Sequence, residues 1–119
     1  MFSFSAKVMP GLGRGRRIGF PTVNLAIANL SLSHGVYLIK AKLQKKIYQG
    51  LMHYGPKKTF NEAVSCEVYL KNFNKNIYGR TLAVEVNRKI REVRKFNNAA
   101  ALKKQIEKDL LELENKTRK

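Results

Sequence analysis

The segment GLGRGRRIGFPTVNL, Gly11 to Leu25, brings together bare backbone, positive charge and two oxygen-bearing side chains. Gly11, Gly13, Gly15 and Gly19 let the chain take positive φ and carry its N–H groups close to a ligand, the usual way to cradle phosphate oxygens. Arg14 and Arg16 add charge for the same anion. Neither named phosphate motif fits, because the Rossmann fingerprint needs glycine where Arg16 stands and the Walker pattern needs Gly-Lys followed by Ser or Thr. A flexible basic loop touching nucleic-acid backbone explains these residues equally well. Beyond the loop, Phe20 can anchor the chain in the core and Pro21 fixes its direction. Thr22 and Asn24, alternate residues of an extended segment, then project the same way. A hydroxyl and an amide carbonyl are oxygen ligands suited to Mg²⁺, although a satisfied turn is the commoner fate of such a pair.

Acid–base chemistry has few candidates. No Asp or Glu precedes Glu62, so a carboxylate base must come from the second half of the chain. In SCEVYL, Cys66, Val68 and Leu70 alternate with Glu67 and Tyr69, which places Glu67 mid-strand on the face away from the core. By position alone the better reading is an outward glutamate paired with a neighbouring lysine, and Glu85 on a later strand competes with it. His34 and His53 are isolated and read as structural or surface residues. Neither forms a metal cluster or a catalytic dyad with Cys66.

These residues need a scaffold, and the hydropathy pattern predicts one. Phe2, Phe4, Ala6 and Val8 alternate with polar neighbours in the two-residue period of a half-buried strand. GVYLIKAKL and IYQGLMHYG read as a hairpin turning through Gln44 to Lys46, with Gly50 marking a bulge or a close backbone approach. SCEVYLKNF and TLAVEVNRKI supply further strands. From Asn97 the period lengthens: Leu102, Ile106, Leu110 and Leu113 form the stripe of an amphipathic helix over about 98–115, capped by Asn97 or Asn98. Short strands followed by one helix predict a mainly β domain: a small closed or nearly closed antiparallel barrel with the helix packed outside. One domain, 1–119, is expected, with its strands within 1–96.

At this point the residues resemble a known family. GRGRRIGFPTVN is similar to the signature of the riboflavin kinase (flavokinase) family, in which a glycine- and arginine-rich loop leads into Gly-Phe-Pro-Thr-x-Asn. In the same order follow GVY at Gly35, a glycine with Thr-Phe at Gly55, Thr59 and Phe60, EVYL at Glu67, IYG at Ile77, IREVRKF at Ile90 to Phe96, and the final helix with Gln105, Ile106 and Asp109. The resemblance implies a six-stranded Greek-key barrel with a C-terminal helix, resembling the kinase domain of bifunctional riboflavin kinase/FMN adenylyltransferases. It implies transfer of the ATP γ-phosphoryl group to the riboflavin 5′-hydroxyl, giving FMN and ADP, with Mg²⁺ or another divalent cation.

By the same resemblance, Thr22 and Asn24 hold the metal and the nucleotide phosphates, and Gly11, Gly13, Arg14, Gly15, Arg16, Gly19 and Pro21 form the nucleotide flap. Glu67 is then the general base, chosen over Glu85 by the resemblance and not by the spacing. Arg91 and Phe96 fall on the flavin side. GPKKTF departs from the family's Arg-Pro-Thr-Phe or Asn-Pro-Thr-Phe after the glycine, with Pro56 displaced and Lys57-Lys58 inserted into the pattern. No His-x-Gly-His motif occurs, so no adenylyltransferase activity is expected of this chain.

Charge and composition bound the partners. Twenty-four Lys and Arg against eight Asp and Glu leave a net charge of +16, which favours an anionic partner. A basic barrel binding nucleic acid, or a flavin-binding relative without catalysis, are the alternatives to the kinase. The excess charge is larger than a nucleotide-sized substrate explains. The lone Cys66 excludes an intrachain disulfide, and no apolar run approaches a membrane span. A soluble, cytoplasmic monomer acting on riboflavin and ATP is expected.

Overall fold

The computed structural model describes residues 2–9, 22–27, 29–56, 64–73 and 76–117. Six strands run in chain order: β1 (Phe2–Met9), β2 (Val23–Leu25), β3 (Gly35–Leu43), β4 (Lys46–Pro56), β5 (Val64–Leu70) and β6 (Thr81–Arg91). One helix, α1 (Ala99–Thr117), follows them. The strands close into an antiparallel barrel in the order β1-β2-β5-β4-β3-β6, so the expected barrel and external helix are both present.

The two-residue period decides which side chains fill the barrel. Phe4, Ala6 and Val8 of β1, Ile39 and Ala41 of β3, Met52 and Tyr54 of β4, Cys66 and Val68 of β5, and Leu82, Val84 and Val86 of β6 belong to one apolar cluster. The lumen is therefore packed with side chains, as small barrels are, and a polar site must lie on the outside. Tyr54 carries its polar end within this core. Its hydroxyl accepts from the Leu30 N–H at 2.9 Å, which ties the segment between β2 and β3 to the barrel.

Outside the barrel, α1 covers a smaller apolar patch in which Leu113 packs with Leu38 of β3 and Leu51 of β4, flanked by Leu110, Ile90 and Tyr69. Of the stripe read from the sequence, Leu110 and Leu113 form the seam of this contact. Asn98 caps the helix: its side-chain oxygen accepts from the Ala101 N–H at 2.9 Å.

Gly50 is a close approach. A Cβ there would run into the Tyr69 carbonyl oxygen of β5. Gly50→Ala is expected to cost about 1–3 kcal/mol, the range of an overpacked site, and urea unfolding monitored by circular dichroism reads that loss directly. Gly55 has a different reason to be glycine. Its φ is 139°, and a side chain would press on His34 and on Val93 from the connection after β6. The strand that leads into GPKKTF thus passes through a pinch between two loops. Lys57 to Phe60 of that motif lie outside the described residues.

Candidate active site

Short as it is, β2 does two things. Val23 packs against the barrel interior, while Asn24 between Val23 and Leu25 takes the outer face. On β5 the same alternation sends Cys66 and Val68 inward and Glu67 outward. The register of β2 with β5 then sets Asn24 directly opposite Glu67. Thr22, two residues before Asn24, donates its hydroxyl to Glu67 Oε1 at 3.1 Å. A threonine, an asparagine and a glutamate from segments more than forty residues apart in sequence are thereby collected on one outer face.

Glu67 is only 9% exposed although it lies outside the lumen. A largely buried carboxylate held by a hydroxyl donor is oriented, and its accepting oxygens keep their direction. The Thr22 hydroxyl has one proton and two lone pairs, so donating to Glu67 leaves oxygen lone pairs for a cation. The set of one carboxylate, one hydroxyl and one amide oxygen fits a hard cation such as Mg²⁺, completed by phosphate oxygens and water. No cluster of three or more His, Cys, Asp or Glu side chains suited to a metal occurs among the described residues, so a Zn-type site is not what these strands build.

The row through Asn24 and Glu67 continues around the barrel. Glu67 pairs across β4 with His53, His53 across β3 with Val36, and Val36 across β6 with Arg91. His53 was read from the sequence as a structural or surface residue, and the fold makes it the cross-strand neighbour of the carboxylate. The pairing register carries that information, and neither periodicity nor motif spacing does. Competing Glu85 pairs with Ser3 on β1 and Lys40 on β3, in a different row from the Thr22–Glu67 contact.

Arg91 lies three strands from Glu67 along that row, so the two are not brought together by the backbone. Its guanidinium instead makes a two-pronged contact with Asp109 of α1, Nε to Oδ1 at 3.0 Å and Nη2 to Oδ2 at 2.9 Å. Gln105 donates to Asp109 Oδ1 at 3.0 Å, and the side-chain exposures of Arg91 and Asp109 are 14% and 5%. Phe96 is buried beneath this pair, its ring 5.8 Å from the Arg91 guanidinium and 5.1 Å from that of Arg94. Arg91 and Phe96 therefore sit together, at the junction that fastens α1 to the barrel. Gly11, Gly13, Arg14, Gly15, Arg16, Gly19 and Pro21 lie outside the described residues.

Cys66 is adjacent in sequence to Glu67 but points into the core. Burial, and secondarily the Glu67 charge, push its thiol up to about 12 from 9.0. It stays protonated near neutral pH and is no nucleophile.

Comparison with known proteins gives a consistent set. A family model described as Flavokinase: Riboflavin kinase matches residues 1–117. The bifunctional riboflavin kinase/FMN adenylyltransferase of Bacillus subtilis is 42% identical over 108 residues, 86% of this chain and 34% of that protein. The solved structure of a macrolide-efflux protein from Streptococcus pneumoniae superposes with a TM-score of 0.84 at 32% identity, covering 95% of this chain and 38% of that one. Riboflavin kinase from Trypanosoma brucei superposes with a TM-score of 0.68 over 98% of this chain and 80% of that one; at 20% identity this likeness is one of fold. The chain thus spans about a third of the length of the Bacillus protein it matches.

Proposed function

Because the chain belongs to the riboflavin kinase family, we propose that it transfers the γ-phosphoryl group of ATP to the 5′-hydroxyl of riboflavin, giving FMN and ADP, with Mg²⁺ as the divalent cation. The family uses ATP and a divalent cation and binds riboflavin and ATP as its small-molecule substrates. The observation that carries the reading is the Thr22–Glu67 contact with Asn24 directly opposite on the neighbouring strand.

Phosphoryl transfer asks the protein mainly for positioning and charge neutralisation. In this reading Glu67 takes the proton from the ribityl 5′-hydroxyl as its oxygen attacks the γ-phosphorus, and ADP leaves from the opposite side. The Thr22 hydroxyl fixes one oxygen of Glu67 and so sets the direction of the other. Thr22 and Asn24 would hold the cation, which when bound offsets charge on the phosphate oxygens. The family resemblance assigns Gly11, Gly13, Arg14, Gly15, Arg16, Gly19 and Pro21, which lie outside the described residues, to nucleotide binding, where glycine backbone and arginine charge suit phosphate oxygens. Arg91 and Phe96 border the flavin, and the Asp109 contact supports their placement by holding that junction rigid. Residues 1–119 act as one kinase-like domain, monomeric and cytoplasmic. A nucleic-acid-binding barrel without kinase activity is not favoured by the family match.

The test is direct. The purified chain, incubated with riboflavin, ATP and Mg²⁺, should give a time-dependent FMN peak on separating the fluorescent flavins. Asn24→Ala should raise the Mg²⁺ concentration for half-maximal rate by about tenfold or more, at least what loss of an outer-shell partner costs a metal site. No FMN with any of several divalent cations and nucleotides overturns the kinase reading.

A further inference from the structure

The acid-free first half of the chain builds a surface that phosphoryl transfer does not use. Residues 1–61 contain no Asp or Glu, and β1, β3 and β4 all come from them. On the outside of the barrel these strands and β6 form two parallel cross-strand rows. Ser3 stands opposite Glu85, Glu85 opposite Lys40, and Lys40 opposite Gln49. Two residues along, Ser5 stands opposite Ala83, Ala83 opposite Lys42, and Lys42 opposite Ile47. Directly paired residues share a face. A groove of about 470 Å³ opens along these rows, lined by Ser3, Ser5, Lys40 and Lys42 together with Glu85 and the exposed Ile47.

Exposed Lys7 on β1, and Lys45 and Lys46 at the β3–β4 turn, extend the positive charge around the groove. Glu85 is the one carboxylate these four strands contribute. The later carboxylates are paired elsewhere: Asp109, Glu112 and Glu114 of the helix pair with Arg91, Arg88 and Lys71, and Glu92, just after β6, pairs with Lys89. Lys40 lies four residues along β3 from Val36 and the Glu67 row, and nothing in the transfer reaction calls on it.

We propose that this groove binds the phosphodiester backbone of single-stranded nucleic acid, without reading its sequence. Charge complementarity names the class of ligand, and the side-chain types choose within it. Lysines and serines are the usual contacts to phosphate oxygens, whereas protein partners favour aromatic, Met and Arg anchors and avoid lysine at the centre. Phe4 at the groove is half-buried, so binding rests on the lysine charges and is steeply dependent on salt. Lys40 and Lys42 stand about 6.8 Å apart at the usual strand rise, in file along one channel, which suits one strand in preference to a duplex. This surface stands or falls separately from the kinase reading.

The test is fluorescence anisotropy of a labelled oligouridylate between low and physiological salt, with ATP, Mg²⁺ and riboflavin present to occupy the kinase site. Lys40→Ala/Lys42→Ala should lower the slope of log affinity against log salt by about 1.4, two phosphate contacts at about 0.7 each, with FMN formation unchanged. Lys103→Ala/Lys104→Ala, the same charge change on exposed positions of α1, should leave the slope within error. Equal losses in both variants, or no binding at low salt, overturn the proposal. So does polyglutamate competing as well as RNA, which would make this a protein-docking face, or a duplex of the same length binding more tightly.

Discussion

Glu67→Gln should lower kcat for FMN formation by about 10²–10⁴-fold while leaving nucleotide affinity within a few fold, since a positioned general base is worth that much. The substitution keeps the size of the side chain and an oxygen that can accept from Thr22, so the 3.1 Å contact and the packing around a 9% exposed residue can survive. What it removes is the ability to take a proton. Separating flavins after timed incubation gives kcat, and equilibrium binding of a nonhydrolysable ATP analogue gives the affinity. Full activity in Glu67→Gln removes the base assignment. Loss of nucleotide binding together with kcat shows instead that the carboxylate helps to hold the cation and phosphates.

Asp109→Ala is expected to destabilise the fold by about 3–5 kcal/mol, the cost of leaving one partner of a buried ion pair without the other. Arg91 and Asp109 are 14% and 5% exposed, and the carboxylate takes both prongs of the guanidinium as well as the Gln105 amide. Removing Asp109 leaves a partly buried guanidinium at the strand–helix junction, directly above Phe96. Replacing both partners, Arg91→Met with Asp109→Leu, should cost far less, because no buried charge is stranded. Urea unfolding distinguishes the two. If the single and double variants lose the same stability, the pair is not a clamp. The flavin role proposed for Arg91 is read separately: at a temperature where the double variant stays folded, it should raise KM for riboflavin while leaving nucleotide affinity unchanged.

Much of the barrel was legible before any coordinates. Strands such as TLAVEV and SCEVYL alternate so strictly that each inward side chain, Leu82, Val84, Cys66 and Val68 among them, could be named from period alone. The helix was equally clear, because its apolar stripe has a period no strand shares, and of the two cap candidates, Asn97 and Asn98, the structure uses Asn98. Burial of one face on a known period is a local property, and sequence records it well. The closeness of β4 and β5 at Gly50 was also signalled, since glycine inside a strand commonly marks an approach of backbone to backbone.

The chain by itself settled the types of element, the inward and outward faces, and the chemical classes available: oxygen ligands at Thr22 and Asn24, a carboxylate at Glu67, and an excess of cations with no acid before Glu62. Tertiary structure decided which of these meet. The order β1-β2-β5-β4-β3-β6 is not chain order, and only that order sets Asn24 across from Glu67 and His53 beyond it. It also turned Arg91 toward Asp109 of the helix, made the lysines of β3 into rows with β1 and β6, and filled the lumen, leaving Glu67 and Asn24 on the outside. The physical reason is that alternation fixes a side chain's face, which a strand carries within itself, whereas register and neighbour order arise between strands distant in sequence.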